Sequence, residues 1–294
     1  MNILNRNILI IGGAGKMGLW FSRFFLNCGF NVSIYDIDVK AARNAQRKLN
    51  LRIYENIGKA IEDNNLIVIS VPMEALKDVF TSISHHIHNN HIIIDISSVK
   101  VYSVKLMHEY VKQGFKIGVH PMFGPGARTI SGKTIIFTPI NIDDFEPSWS
   151  IAKIFVDKGA KAVFMTPEEH DKYISVILTF PFVISISVMD VINNLNFDDV
   201  VINEISSPSF KLLHTLCKAI IGNDPKLYTS IIKYSSKDAI KYFSKILNDI
   251  ANMDELSLKD YAVKLKSRLN FTDLLEAYNL MYDFSELKQQ SYRH

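Results

Sequence analysis

Cysteine is almost absent from this chain. There are two residues, Cys28 and Cys217, far apart and each in an apolar helical context. They allow neither a disulfide framework nor a cysteine-based zinc site, and a reducing cytoplasm is the expected location. An excess of one sign of charge is missing too. The 33 basic and 30 acidic side chains leave +3 with no basic block, which excludes a nucleic-acid stripe and an anionic membrane surface as expected partners. The first apolar run, in MNILNRNILIIGG, is about five residues long and ends at glycines, too short for the core of a secretion signal. A long charge-free run occurs once, at 173–189 (YISVILTFPFVISISVM). It falls short of the roughly 20 residues that a membrane span needs and contains Pro181 and four hydroxyls. A helix buried on all sides, inside the protein or between two subunits, is the expectation, with no membrane contact.

The chain does have length and apolar content, 294 residues and 48% hydrophobic, enough for two ordinary domains. Up to about residue 165, short β-branched runs alternate with helical stretches: NILIIG (7–12), NVSIYD (31–36), LIVISVP (66–72), HIIIDIS (91–97), KIGVHP (116–121), KTIIFTP (133–139) and KAVFMT (161–166). Runs that are apolar throughout indicate strands covered on both faces, hence a mainly parallel, doubly wound sheet of βαβ units. TPEE (166–169) then opens a helix with a threonine cap, a proline at the first helical position and a glutamate three residues on. From there only helices are predicted, broken near 194–199, 206–209, 222–225 and 251–257. The expected organisation is an α/β dinucleotide-binding domain over 1–166 and an all-α domain over 167–294, with no appended regulatory domain.

Directly after the first strand stands GGAGKMG, in which Gly13, Gly15 and Gly18 form G-x-G-x-x-G ahead of an amphipathic helix. The first glycine permits the turn, the second lets a pyrophosphate approach the backbone, and the third lets helix and strand pack closely. Gly13, Ala14, Gly15, Lys16, Met17 and Gly18 thus form the expected phosphate cradle at a helix N-terminus. Asp36, at the end of the second strand, suits a ribose 2′-hydroxyl and repels a 2′-phosphate, so NAD is the expected cofactor, although Lys40 and Arg43 lie nearby.

Ligands of an open α/β sheet sit outside the carboxyl ends of its strands. Those ends carry Val71 and Pro72, then Asp95, Ser97 and Ser98, then His120. Val71, Pro72 and Ser97 are expected to line the cofactor. Pro121 restricts His120 to an extended conformation on a stiff strand end. An imidazole there is suited to take a proton from a substrate hydroxyl as hydride leaves the same carbon.

With GGAGKMG, ISVP, DISSVK, HPMFGP, PEEHDK and SSPSF…IIGNDPKLY, the chain resembles the prephenate dehydrogenases, a family that includes arogenate dehydrogenases. The resemblance covers nearly the whole length and implies a helical domain that dimerises. It also implies oxidation of prephenate with NAD to 4-hydroxyphenylpyruvate and CO₂. It assigns His120 to the ring hydroxyl and Ser98 to positioning that histidine, with no metal. Two positions depart from the family pattern. Ala219 stands where many members have a carboxylate-gripping arginine, and Phe180 and Phe182 occupy a helix that often carries a histidine. Arg128, beyond HPMFGP, and Lys218 are the candidate replacements for binding a cyclohexadienyl acid. For Lys218 the competing interpretation is a solvated face shared with Lys211 and His214 at i, i+3, i+7 spacing.

Two clusters imitate metal sites. His85, His86, His88 and His91 lead into the predicted strand at 91–97, at the wrong edge of the sheet and without a cysteine or carboxylate ligand. His170 and Asp171 follow Glu168 and Glu169 in a first helical turn, where acidic residues complement the dipole. The expected protein is therefore a cytosolic, homodimeric NAD-dependent dehydrogenase. The alternatives are arogenate as the substrate, another hydroxy-acid or sugar-acid dehydrogenase of similar build, or a nucleotide-binding sensor without catalysis.

Overall fold

The computed structural model describes residues 7–291, and the chain forms two compact units that meet at Ile174 and Ser175. Residues 1–6, part of the run used above to argue against a secretion signal, lie outside the described residues, as do 292–294. The helix opened by TPEE is grouped with the first unit, where its Asp171 accepts the backbone N–H groups of Lys100 and Val101.

The first unit is an eight-stranded sheet: β1 (Asn7–Ile11), β2 (Asn31–Tyr35), β3 (Arg52–Tyr54), β4 (Leu66–Ile69), β5 (Ile92–Asp95), β6 (Phe115–Pro121), β7 (Thr134–Pro139) and β8 (Lys161–Phe164). The order is β3-β2-β1-β4-β5-β6-β7-β8, with every pair parallel except β6 and β7. The chain turns back from β6 into β7 without a crossover helix, and a direct return forces antiparallel pairing. The sequence indicated seven strands. β3 escaped because three residues with an exposed arginine carry no apolar run.

Ile8, Leu9 and Ile10 are fully buried, as covering on both faces requires. One cover is aromatic. Helix α1 (Lys16–Asn27) turns Trp20, Phe21, Phe24 and Phe25 inward, and Phe24 stacks on Phe155 with ring centres 4.8 Å apart. Each such side chain, fully buried, stabilises by about 1.5–3 kcal/mol. The other helices of this unit are α2 (Val39–Leu49), α3 (Ile57–Glu62), α4 (Leu76–Ile83), α5 (Lys100–Tyr110), α6 (Phe145–Val156) and α7 (Pro167–Ile174). The α7 cap forms as the sequence predicts: Thr166 Oγ1 accepts the Glu169 N–H at 3.1 Å and Glu169 Oε2 accepts the Thr166 N–H at 3.1 Å.

The second unit opens with a π-helical turn, 175–179, and continues as α8 (Phe180–Asn194), α9 (Asp199–Ile205), α10 (Pro208–Ile221), α11 (Pro225–Tyr234), α12 (Asp238–Ala251), α13 (Glu255–Lys266) and α14 (Phe271–Ser291). The predicted breaks are present. Further breaks at 235–237 and 267–270 lacked a Gly/Pro signal. α10 packs between α8 and α14, and Thr179 donates to Ser235 at 2.7 Å.

Two expectations about this half are corrected. The helical run 167–194 has 28 residues, long and apolar enough to cross a membrane by length and composition, so shortness does not argue against a span. Within one chain its burial is incomplete, with Val176, Ile177, Ile186 and Val191 exposed, so of the two expected forms of burial the one inside a single chain does not hold. His214 is buried against Phe210, so Lys211, His214 and Lys218 do not form one solvated face.

Candidate active site

The strand order reverses between β1 and β4, where one connection runs towards β2 and the other towards β5. The glycine loop lies at that switch. Gly12, rather than Gly13, takes the left-handed conformation (φ +76°), and a Cβ there would meet Ser70 O at 2.3 Å. Val71 Cγ1 would stand 2.9 Å from the same Cβ, so Val71 flanks the loop, while Pro72 is exposed just beyond. Gly18 is required for packing, because its Cβ would fall 2.4 Å from Gly12 O. Gly15 is different. Its backbone is ordinary (φ −67°, ψ 164°), and a Cβ would meet nothing closer than Gly12 O at 3.3 Å. That one contact is tight, but nothing else crowds the position, which lies at the start of α1, a helix with no side-chain cap and no acidic residue in its first turn. The Lys16 and Met17 N–H groups therefore face a cradle suited to a pyrophosphate.

Asp36 fixes the loop. Its carboxylate accepts the Ala14 N–H at 2.9 Å and the Asp38 N–H at 3.0 Å, which leaves lone pairs for a ribose hydroxyl. A dinucleotide fits these residues on structural grounds.

Beyond β5, Asp95 is wholly buried and accepts the Ser97 hydroxyl at 2.7 Å, the Ser97 N–H at 3.1 Å and the Lys100 ammonium. The Ser97 hydroxyl is thus engaged inside the protein. Lys100 Nζ also donates to Val119 O at 3.0 Å, tying the start of α5 to the strand that carries His120. Burial pushes the Lys100 pKa down, against the opposing pull of Asp95.

His120, at the end of β6, is 5% exposed and pairs across the sheet with Ile136. Its Nδ1 lies 2.9 Å from His170 Nε2, and His170 Nδ1 lies 2.7 Å from Asp171 Oδ1. Asp171 also accepts the backbone N–H groups of Lys100 and Val101, each at 2.8 Å. Among the described residues, His120 Nε2 has no hydrogen-bond partner, and it is not a sealed atom. Burial, then His170, then Lys100 drive the His120 pKa well below its ordinary value; burial chiefly lowers that of His170. Both rings are neutral at physiological pH.

Ser98 is half-buried and makes no hydrogen bond to His120; the ring contact belongs to His170. Sequence reasoning set His170 and Asp171 aside as a helix start, and nothing in the local pattern announces a contact fifty residues away. The fully buried Lys100 was equally invisible. Arg128 is exposed in the loop after β6, and that loop is tied to α1 by Trp20 Nε1 donating to Ala127 O at 2.7 Å. Lys218 is exposed in the last turn of α10, in the second unit. The histidine run is structural in part, since His91 Nδ1 accepts the His88 N–H at 2.9 Å.

A glycine-loop doubly wound sheet with a buried imidazole at a neighbouring strand end, joined to a helical unit, places the chain among two-domain proteins with a dinucleotide-binding fold. Residues 21–164 match the nucleotide-binding domain of prephenate dehydrogenase and residues 166–269 its dimerization domain. The chain belongs to the prephenate dehydrogenase family. It is 28% identical over 282 residues to a probable arogenate/prephenate dehydrogenase of Methanocaldococcus jannaschii, covering 94% of this chain and 61% of that one. The curated relatives it matches along most of its length are longer, with 57–63% of each spanned. A solved prephenate dehydrogenase of A. aeolicus, in complex with hydroxyphenyl propionate and NAD⁺, has the same fold (TM-score 0.71, 22% identity, 89% of this chain and 96% of that one). So does Synechocystis arogenate dehydrogenase (TM-score 0.69, 16% identity, 89% and 98%).

Proposed function

We propose that this protein catalyses the NAD-dependent oxidative decarboxylation of prephenate to 4-hydroxyphenylpyruvate, a step of tyrosine biosynthesis in the cytoplasm. The observation that carries the proposal is His120, a neutral imidazole on the glycine-loop edge of the sheet with one ring nitrogen unengaged. NAD supplies the hydride acceptor. The glycine loop, with Gly13, Ala14, Gly15, Lys16, Met17 and Gly18, would hold its phosphates and Asp36 its ribose, and Val71 and Pro72 would border it. His120 Nε2 takes the proton of the ring hydroxyl as the C–H pair of that carbon departs as hydride. The bond to the ring carboxylate then breaks, CO₂ leaves with its electron pair entering the ring, and His120 returns the proton to the resulting phenolate oxygen. Aromatisation makes the sequence irreversible.

Arg128, exposed in a loop tethered beside α1, and Lys218 are the proposed partners of the substrate carboxylates, with Ser98 proposed to lie close to the reacting groups. The exposed apolar positions Val176, Ile177, Ile186 and Val191 lie in the segment matched as a dimerization domain, which supports a homodimer built on this helix. Arogenate is the second reading, favoured by the relative whose name carries both acids. Purified protein assayed with NAD and each acid, following the absorbance of reduced nicotinamide, decides between them. Turnover of neither acid refutes the proposal and leaves another hydroxy acid, or nucleotide binding alone, as its function.

A further inference from the structure

Helix α5 begins without a cap of its own: Val99 stands at the capping position, and the first turn has no acidic residue. Asp171 supplies the cap from 71 residues away, both carboxylate oxygens receiving backbone N–H groups of that turn. A carboxylate so engaged acts towards a third group as an acceptor. His170 Nδ1 is that third group, so it carries a hydrogen, and the neutral ring then has a bare Nε2. Bare Nε2 can only accept, so the facing His120 Nδ1 carries a hydrogen in turn, and the lone pair of His120 is left on Nε2. The direction of every hydrogen in the chain follows from one anchored carboxylate.

We infer that His170 and Asp171 are positioning residues that lock His120 in its Nδ1–H tautomer and present its Nε2 lone pair to the substrate hydroxyl. The inference rests on the dehydrogenase reading for its purpose, but the tautomer stands on geometry alone. When Nε2 accepts the hydroxyl proton, the O–H bond breaks as hydride leaves the same carbon for the acceptor that bound NAD would supply, and the new imidazolium donates its Nδ1–H into His170. Its positive charge is then steadied through His170 by Asp171. The other charged groups at this place are Lys100 and Asp95, which neutralise each other in a buried pair. Burial, with a smaller contribution from Lys100, lowers the proton affinity of both rings, so the relay rests empty of extra protons between turnovers.

The test has two arms. Nitrogen-15 NMR of histidine-labelled wild-type protein near neutral pH, with His120 assigned by its loss in His120→Asn, is expected to show a protonated Nδ1 and a bare Nε2. A proton on His120 Nε2 overturns the inference whether or not prephenate is a substrate, so its failure is distinct from failure of the assay above. In the second arm, His170→Leu removes the acceptor, while His170→Gln offers an amide oxygen in its place. His170→Leu is expected to lower kcat by about 10- to 100-fold with KM for NAD within about twofold, and His170→Gln to recover most of the rate. Equal rates in the two variants, whether normal or impaired, contradict a positioning role. If His170→Leu does not fold, the NMR arm decides alone.

Discussion

The Lys100 ammonium and the Asp95 carboxylate meet inside the nucleotide-binding unit, neither with any solvent exposure. Desolvating two charges is expensive, and the pair persists because its remaining donors and acceptors are filled by Asp95 O, Val119 O and Ser97. The arrangement joins the end of β5, the start of α5 and the backbone just before His120. Removing one partner strands the other. Lys100→Met is therefore expected to cost about 3–5 kcal/mol in urea denaturation, and Asp95→Asn combined with Lys100→Met to regain most of it. A single variant of normal stability would show that the pair does not hold these elements.

The glycines of the loop separate into those the fold needs and one it does not. Gly15→Ala has an allowed backbone and a single tight contact, Gly12 O at 3.3 Å, which a shift of a few tenths of an ångström relieves, so its unfolding free energy should stay within about 1 kcal/mol of wild type. Its NAD affinity, measured by calorimetry, should fall at least tenfold, because the methyl group stands where a pyrophosphate approaches the backbone. Gly18→Ala should instead destabilise the protein, its Cβ lying 2.4 Å from a backbone oxygen. Normal nucleotide affinity in Gly15→Ala would place the phosphates elsewhere.

Asp36→Ser removes a carboxylate that would repel a 2′-phosphate and that also receives the Ala14 N–H. Affinity for NAD should drop, and the ratio of NADP to NAD affinity should rise by about tenfold or more. An unchanged ratio would remove Asp36 from cofactor selection.

Acid should weaken the fold through the relay. His120 and His170 have folded pKa values below the ordinary 6.5. Below that pH the unfolded chain binds protons that the native rings refuse, so stability is full above 6.5 and is lost as pH falls towards the folded values. Thermal unfolding followed from neutral pH to about pH 5 should show the decline, and His170→Gln should shallow it. A slope unaltered by that variant would assign the acid sensitivity to other groups.

The sheet was legible because Ile, Leu and Val runs such as ILII and LIVI report burial on both faces, a local property. β3 was not, since a three-residue edge strand contributes little apolar pattern and depends on β2 for its place. At the candidate site, the place of His120 at a strand end was legible from the apolar run before it and the proline behind it. The pattern PEEHD gave the helix start correctly, with Thr166 and Glu169 capping as expected, yet the same residues concealed the contact of His170 with His120. Lys100, in the first turn of a helix, has the sequence context of a solvated lysine. Its burial is decided by β5 and β6 meeting above it, which no window of neighbours encodes.

The role proposed for His120, the base that accepts the hydroxyl proton, is open to a single substitution, His120→Asn. Steady-state rates with the cyclohexadienyl acid, set beside NAD affinity by calorimetry, should show kcat reduced by about 10²–10⁴ with nucleotide binding unchanged. A variant that turns over at a near-normal rate would contradict the account.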